Sequence, residues 1–501
     1  MRRTQHGIGQ GLAEARAARP IVPGERIHVV GVAGAGASAA ALLADAAGAQ
    51  VSGCDPGAPT PYSAPLEALS ISVAHEHDAE HVQNKATAPA RLAVTKALTA
   101  LQPDHPELRA AREAGIPVEA WQQVVADAAA SQGGRLVAVA GTHGKSTSAG
   151  WLVHLLVESG RDPAAFVGAL LPAERSGALP ATARWGRGHV FILEADEYAG
   201  NFDPYRPSIA LVLNAEWDHP DVFADRAAVI DAFEEWLRLP GGDERQAVIN
   251  IADGGGRELA ARLTAWGPRV ISLGARDPVD DDAKVRYSLV DEVLSLEGLP
   301  GLSPSPLEAR LQLAGEHNAA NAAAVATVAA LLGLSGSEIS AGLSSFEGVG
   351  RRLEFKGEPG GVLIIDDYGH HPSAIRATIA AIRGRHPDRR LWVAHEPLTY
   401  HRAAAMLDEL AGALADADRV VIADIWPGRD HDTTITSSAA LAQAVSSLVG
   451  VEVAAPGSVE STADYLVDRV APGDVVLVMG GGRSYVIADR LVVLLGEGSA
   501  E

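Results

Sequence analysis

Residues 136–147 read Leu-Val-Ala-Val-Ala-Gly-Thr-His-Gly-Lys-Ser-Thr, an apolar run followed by a tight turn and the start of a helix. This order places backbone N–H groups and a helix N-terminus where they can face an anion. Lys145 adds a positive charge, and the hydroxyl of Ser146 can bind Mg²⁺. The general phosphate-loop pattern has a glycine where Val139 stands. The stretch therefore predicts ATP binding, and a purely structural Gly-rich turn is the alternative.

The composition indicates a multidomain globular protein. The chain has 501 residues, of which 47% are hydrophobic and 21% charged, so two to four domains are expected. The net charge of −22 argues against a nucleic-acid or anionic-membrane partner. Only five lysines occur, and one of them is Lys145 in the phosphate loop.

The single cysteine, Cys54, points to a reducing compartment. We expect neither an internal disulfide nor a Cys-based zinc site. The sequence has no transmembrane stretch, and its polar N-terminus lacks the apolar core of a signal peptide. These features predict a cytoplasmic protein.

A β-α-β pattern with Rossmann character opens the ordered part of the chain. Residues 1–25 are polar, and we expect them to fray. Residues 27–32 then predict a strand, residues 37–47 a helix, and residues 51–55 a second strand that ends in an acid. Asp55 lies at the distance expected of a ribose-binding acid, but Ala33 replaces the middle glycine of the fingerprint. Nucleotide binding and a ligand-free turn both remain open here.

Acids and a histidine follow two apolar strands in the middle of the chain. Glu194 follows residues 190–193, and His219 comes a few residues after residues 209–213. The carboxyl ends of parallel strands share one edge of a sheet. Lys145, Ser146, Glu194 and His219 are therefore predicted to converge in a Mg·ATP site. Taken singly, the acid could be solvated and the histidine could be a hydrogen-bonded loop residue.

Two glycine-containing segments, at 132–134 and 348–350, divide the chain. We predict three α/β domains over 1–132, 133–348 and 349–501. An Ala-rich helix is expected over 319–332. Continuous apolar runs in the last domain predict a parallel sheet, and these runs are 362–365, 391–394, 420–423 and 475–479.

Six motifs occur in an order that resembles the Mur ligases, the ATP-dependent amide-forming enzymes of peptidoglycan precursor synthesis. They are Gly-Thr-His-Gly-Lys-Ser (141–146), Glu-Ala-Asp-Glu-Tyr (194–198), Asn-Ala-Glu-Trp-Asp-His (214–219), Gly-Glu-His-Asn (315–318) with Asn321, Gly-Arg-Arg (350–352) and Asp-Asp-Tyr-Gly-His-His-Pro (366–372). The resemblance covers roughly residues 26–495. It implies an N-terminal Rossmann-like domain, a central P-loop ATPase domain and a C-terminal Rossmann-like domain. Within the family the chain is most similar to the branch that joins L-alanine to UDP-N-acetylmuramate through an acyl phosphate.

The resemblance also implies roles for individual residues. ATP would be bound by Gly141, Thr142, His143, Gly144, Lys145, Ser146, Thr147, His317, Asn318, Asn321, Arg351, Arg352 and Asp367. Mg²⁺ would be held by Ser146, Glu194 and His219. Catalysis would depend on Lys145, Glu194, His219 and Arg352. The UDP-sugar and amino acid would contact Gly31, Gly34, Gly36, Asp55, Tyr368, His370, Tyr400 and Arg402.

Two segments depart from the family pattern. Leu398 stands where the branch usually has a histidine, before the retained Tyr400 and Arg402. Residues 94–97 replace a serine pair. The alternatives are the related ligase that recycles a tripeptide onto UDP-N-acetylmuramate, a folylpolyglutamate synthase, and a non-catalytic nucleotide-binding protein on the same fold. The expected partners are small molecules, with no nucleic acid and no membrane, and the expected state is a monomer or homodimer.

Overall fold

The computed structural model describes residues 7–57, 59–240, 244–276, 282–303, 305–313, 315–428, 430 and 432–497. These residues form two compact units. The first comprises the described parts of Met1–Trp217, Val222–Leu311 and Ala320–Val349, and the second those of Asp218–Asp221, Gln312–Ala319 and Gly350–Glu501. Two sheets belong to the first unit and one to the second, and parallel pairing dominates all three. The predicted α/β class is confirmed.

The first sheet has the strand order β3-β2-β1-β4-β5 and is parallel throughout. Its strands are β1 (Arg26–Val30), β2 (Gln50–Cys54), β3 (Ser72–Ala74), β4 (Arg91–Val94) and β5 (Val118–Ala120). Its helices are α1 (Ala35–Ala46), α2 (Ala64–Ala68), α3 (Glu80–Gln83), α4 (Lys96–Leu101), α5 (Pro106–Ala114) and α6 (Trp121–Gln132). Gly133 ends α6 at a φ of 75°, a left-handed conformation that favours glycine.

The N-terminal segment does not fray over its described residues. Arg16 forms an ion pair with the buried Asp127 of α6 at 2.6 Å, and Ile21 is buried. The expectation of fraying is therefore wrong for residues 7–25, because Arg16 pairs with Asp127 and the backbone N–H of Ile21 donates to Oγ of Ser131 on α6 at 2.7 Å. Residues 1–6 lie outside the described part of the chain.

The second sheet has ten strands in the order β15-β14-β13-β12-β11-β10-β6-β9-β7-β8. Its strands are β6 (Arg135–Ala140), β7 (Ala164–Leu171), β8 (Ala181–Arg184), β9 (Val190–Ala195), β10 (Ile209–Val212), β11 (Gln246–Asn250), β12 (Val270–Ala275), β13 (Val285–Val290), β14 (Val293–Glu297) and β15 (Leu307–Arg310). Pairing is parallel from β7 to β13, and antiparallel for β8, β14 and β15. The associated helices are α7 (Lys145–Glu158), α8 (Ala173–Ser176), α9 (Arg226–Arg238), α10 (Gly254–Arg262), α11 (Glu316–Leu331) and α12 (Gly336–Ser345).

The third sheet has the order β16-β17-β21-β18-β19-β20, with only β16 antiparallel among these strands. Its strands are β16 (Glu354–Gly357), β17 (Leu363–Asp367), β18 (Leu391–Glu396), β19 (Arg419–Ala423), β20 (Ala454–Gly457) and β21 (Val475–Gly480). Its helices are α13 (Pro372–Arg385), α14 (Tyr400–Ala405), α15 (Leu407–Leu414), α16 (Ser438–Val449), α17 (Val459–Val467) and α18 (Tyr485–Glu497). The four apolar runs predicted in the last domain are all strands of this sheet.

Within the described residues, every helix is too short or too polar to cross a lipid bilayer.

Candidate active site

The phosphate loop links β6 to α7, the two elements predicted from residues 136–147. Gly144 ends the loop at a φ of 82°, and a Cβ atom there would lie 2.9 Å from Oδ1 of Asn321. Asn214 follows β10, and both the oxygen and the nitrogen of its side-chain amide bind the loop. Its Oδ1 accepts from the backbone N–H of His143 at 3.0 Å, and its Nδ2 donates to the His143 carbonyl at 3.1 Å. The loop backbone is therefore fixed before any ligand binds.

Lys145 begins α7 and its ammonium group points back over the loop. Nζ donates to the carbonyl of Gly141 at 2.6 Å and to Oε2 of the buried Glu197 at 3.1 Å. Burial alone lowers the pKa of Lys145, but Glu197, Asp196 and Glu194 outweigh it, and the net pKa is raised. Lys145 is thus a fixed positive charge at the loop, as a role beside phosphates requires.

Ser146 and Glu194 present oxygen donors side by side. The Ser146 hydroxyl donates to Oε1 of Glu194 at 3.1 Å. Oε2 of Glu194 accepts from the backbone N–H of Gly168 at 2.7 Å, and a Cβ at Gly168 would lie 2.8 Å from that oxygen. A hydroxyl and a carboxylate beside a phosphate loop are the hard donors that Mg²⁺ prefers. This pair therefore fits the predicted magnesium site.

The N-terminal loop after β1 is closed by Asp55. Oδ2 of Asp55 accepts from the backbone N–H of Ala33 at 3.0 Å, and Oδ1 accepts from Gly57 at 2.8 Å. Gly31 adopts a φ of 72°. A Cβ at Gly36 would lie 2.3 Å from the ring of Trp121, so packing alone requires glycine at that position. Gly34 precedes α1 as its N-cap, and a Cβ there would be 3.5 Å from the nearest atom. Binding of a UDP-sugar by this loop stays a prediction.

His219 belongs to the second unit, where it lies beside Asp218 and contacts Arg402. The side chains of Arg402 and Asp218 are 2% and 4% exposed, and Nε of Arg402 lies 2.7 Å from Oδ1 of Asp218. Nη2 of Arg402 lies 3.2 Å from Nδ1 of His219. Because a guanidinium group only donates, Nδ1 accepts, and the proton of the neutral ring lies on Nε2. Metal ligation through Nε2 of His219, which stays a prediction, would require the other tautomer, with the proton on Nδ1, and the loss of this contact with Arg402.

The electrostatics of this cluster favour an ionised Asp218. Burial raises the pKa of Asp218, but Arg402, His219, His370 and His371 together hold it well below its usual range. His370 has its own pKa lowered, mainly by burial and then by Arg402. The buried acid and guanidinium therefore form an ion pair beside His370, whose own pKa is lowered.

Arg351 and Arg352 differ in their surroundings. Nε of Arg351 pairs with the buried Asp366 at 3.2 Å, and its Nη2 donates to the Gly480 carbonyl at 2.9 Å. Arg352 lies over the ring of Tyr368, 4.8 Å from its centroid. Burial raises the pKa of Asp366 to about 6 despite Arg351. Arg351 thus joins the ends of β17 and β21 in the third sheet. Arg352 is therefore the better candidate for an ATP contact.

The remaining predicted ATP residues lie at the start of α11 and the end of β17. Asn318 and Asn321 are buried on α11, and His317 precedes them on its first turn. Asp367 accepts backbone N–H bonds from Gly369 at 2.8 Å and from Leu353 at 2.9 Å. The pKa of Asp367 is raised, because burial outweighs the nearby arginines. The hydrogen bond from Gly369 to Asp367 fixes the loop after β17.

Family models cover most of the chain. The Mur ligase family catalytic domain matches residues 26–132, the Mur ligase middle domain residues 139–329, and the Mur ligase glutamate ligase domain residues 351–482. A curated relative from Frankia casuarinae, named UDP-N-acetylmuramate--L-alanine ligase, is 35% identical over 95% of this chain and 99% of its own length. The chain belongs to the Mur ligase family.

Solved structures of Mur ligases share the fold. UDP-N-acetylmuramate-alanine ligase MurC from Thermotoga maritima aligns with a TM-score of 0.75 at 23% identity, over 95% of this chain and all of that one. The murein peptide ligase from Psychrobacter arcticus aligns with a TM-score of 0.71 at 23% identity, over 94% of this chain and 99% of its own. The three-domain Mur ligase architecture predicted from the motifs is confirmed, while the predicted boundaries at residues 133 and 349 stay predictions.

Leu398, one of the two positions where this Mur ligase differs from the family pattern, packs in the protein interior. Leu398 is buried, and a Cβ atom at Gly481 would lie 2.8 Å from its Cδ2. Tyr400 starts α14 two residues later, and Thr399 precedes it at a φ of 60° with its side chain capping the helix. Arg402 turns inward from the same helix, so the sequence prediction of a substrate contact competes with its observed pairing to Asp218.

Sequence reasoning did not assign a role to several residues that shape the site in this Mur ligase. Asn214, which clamps the phosphate loop, belongs to the motif at 214–219, but no local pattern marks its contacts with His143. Gly168 lies in β7, far from any motif, and no local signal marked its contact with Glu194. Lys96 stands at the second departure from the family pattern, and its Nζ donates to the carbonyl of Ala199 at 2.8 Å. That departure was the available signal for Lys96.

Proposed function

We propose that this protein joins L-alanine to UDP-N-acetylmuramate in an ATP-dependent reaction. The observation that carries the proposal is the set of curated relatives with that name, at 35% identity across 95% of the chain in one case. The preorganised phosphate loop with Lys145, Ser146 and Glu194 supports it independently of the names.

The proposed chemistry proceeds in two steps. A carboxylate oxygen of the muramate attacks the γ-phosphorus of ATP, ADP leaves, and an acyl phosphate forms. The neutral amine of alanine then attacks the acyl carbon, phosphate leaves with its bonding electrons, and the amine loses a proton. Both steps concentrate negative charge on phosphate oxygens, which preorganised donors stabilise.

The residues of the first unit would divide this work. Loop N–H groups from 141–147 would hold the phosphates, and Lys145 would offset charge on the β- and γ-phosphates. Mg²⁺, when held by Ser146 and Glu194, supplies additional neutralisation of that charge. Because Glu197 already pairs with Lys145, the ammonium group would be positioned without reorganisation.

The roles of the second unit are also proposals. Arg352 would contact ATP, Asp367 would lie near the ribose, and Tyr368, His370 and Tyr400 would contact the substrates. A cytoplasmic location, a monomer or homodimer, and small molecules as the only partners complete the proposed picture.

The deciding experiment supplies ATP, Mg²⁺ and UDP-N-acetylmuramate with a panel of amino acids and measures phosphate release. We expect release only when the UDP-sugar and an amino acid are both present, and fastest release with L-alanine. A recycled tripeptide belongs in the same panel. Faster turnover with the tripeptide would overturn the alanine proposal, and ATP hydrolysis independent of both substrates would overturn ligase activity.

A further inference from the structure

A cluster of metal-binding residue types lies in the first unit, apart from the phosphate loop. It consists of His28 on β1, Cys54 at the end of β2, His81 on α3 and Glu107 on α5. One donor atom from each of these side chains lies within 4.8 Å of those of the other three. Nothing in the proposed ligase reaction uses them.

The spacing between the donor atoms suits a single ion. Nε2 of His28 lies 3.3 Å from Oε2 of Glu107. Sγ of Cys54 and Nδ1 of His81 each lie 3.1 Å from Oε1 of Glu107. In a tetrahedral zinc site, bond lengths of about 2.0–2.3 Å place neighbouring donor atoms roughly 3.3–3.6 Å apart. The three distances to Glu107 are close to this range, and the other pairs lie within 4.8 Å, so the donors would have to move together to surround one ion.

The strand register explains why two of the donors meet. His28 pairs with Ser52 across β1 and β2, and side chains two residues apart on a strand share a face, so Cys54 lies on the same face as Ser52. The Ser52 hydroxyl lies 2.9 Å from Nδ1 of His28. This contact orients the ring and leaves Nε2 toward Glu107. Metal-ligating histidines usually have such a partner on the second ring nitrogen.

Three of the four side chains are buried, and His81 is 21% exposed. The side chains of His28 and Glu107 are 4% and 0% exposed, and Cys54 is fully buried. Nε2 of His28 lies 3.3 Å from Oε2 of Glu107, so this ring nitrogen faces the carboxylate at the centre of the cluster.

We propose that His28, Cys54, His81 and Glu107 form a structural zinc site in the N-terminal sheet. Imidazole, thiolate and carboxylate donors together favour Zn²⁺ over Mg²⁺. On binding, the Cys54 thiol loses its proton to solvent and the sulfur–zinc bond forms, with no change of oxidation state. This proposal departs from the expectation, drawn from the single cysteine, of no Cys-based zinc site, because one cysteine suffices when histidines and a carboxylate complete the donor set.

Cobalt substitution tests the site directly. The full-length protein is freed of metal with a chelator and titrated with Co²⁺, followed by competition with Zn²⁺. We expect one equivalent to bind with a thiolate-to-Co²⁺ charge-transfer absorption that Cys54→Ser abolishes, whereas Co²⁺ at the proposed magnesium site gives no such absorption. His81→Ala should weaken binding, and Ser52→Ala should weaken it about 10–100-fold through the lost support of His28. His75→Ala is the matched control, because His75 is an exposed histidine of the same region, and its variant should bind like wild type.

Two results would overturn the site. One is wild-type protein that binds no stoichiometric Co²⁺ or shows no thiolate absorption. The other is Cys54→Ser protein with unchanged affinity. If Cys54→Ser fails to fold by circular dichroism, the wild-type spectrum alone decides, since only Cys54 can supply a thiolate. The readout needs no ligase activity, so its outcome is separate from that of the proposed function.

Discussion

Replacement of Arg402 by alanine should destabilise the second unit rather than only weaken substrate binding. Arg402 and Asp218 are 2% and 4% exposed and their charged atoms are 2.7 Å apart. Removing one partner of such a buried pair leaves an uncompensated charge and typically costs about 3–5 kcal/mol. Denaturant unfolding of wild-type and Arg402→Ala protein at neutral pH, followed by a probe specific to the second unit, measures this loss.

The loss should depend on pH with a defined sign. In the wild type the pKa of Asp218 is lowered, so its contribution to stability is present above the unfolded pKa of about 3.9 and is lost as the pH falls through the folded pKa. Without Arg402, burial remains as the largest influence and raises that pKa. The two proteins should therefore differ most at neutral pH and converge in stability under acidic conditions.

The matched control removes both charges. Arg402→Met with Asp218→Asn leaves no buried charge and should be more stable than Arg402→Ala, and the two single variants complete a double-mutant cycle. A change in unfolding free energy within about 0.5 kcal/mol for Arg402→Ala would refute this reasoning. If the same variant instead raised the KM for the amino acid or UDP-sugar alone, the substrate contact predicted from the sequence would be right.

The other predictions concern the nucleotide site. Lys145→Ala should lower kcat for ATP turnover by about 10²–10³-fold, because it removes a preorganised charge. Lys85 is exposed, and its replacement by alanine is the control that should leave kcat unchanged. Glu194→Gln should raise the Mg²⁺ concentration for half-maximal rate with little change in Tm; an unchanged requirement would exclude it from the metal site. Arg352→Ala should raise the KM for ATP, whereas Arg351→Ala should chiefly lower Tm because it loses Asp366 and Gly480, and the reverse pattern would exchange their roles.

The sequence predicted the elements that carry the site because their local signals are strong. Continuous apolar runs became β6, β9 and β10, and the glycine turn before Lys145 became the phosphate loop. The helix predicted over 319–332 spans 316–331, and a shift of this size at its start is usual for boundaries read from sequence. Such features depend on neighbours in sequence, so the amino-acid order alone predicts them.

The partners of individual side chains could not be predicted in the same way. Arg402 was expected to face a substrate, because an isolated basic residue beside a polar run gives no sign of its partner. Its observed partner, Asp218, lies 184 residues earlier in the chain. Long-range pairs of this kind follow from the tertiary fold, and a single sequence does not encode them as a local pattern.

The proposed zinc cluster also could not be predicted from a local sequence pattern. Positions 28, 54, 81 and 107 match no compact metal-binding motif, since each donor comes from a different element of the first sheet. What joins them is the strand order, which places β2 beside β1, and the packing of α3 against α5. The apolar pattern that specifies this sheet therefore also assembles the donors, and a site built in this way becomes visible only once the fold is known.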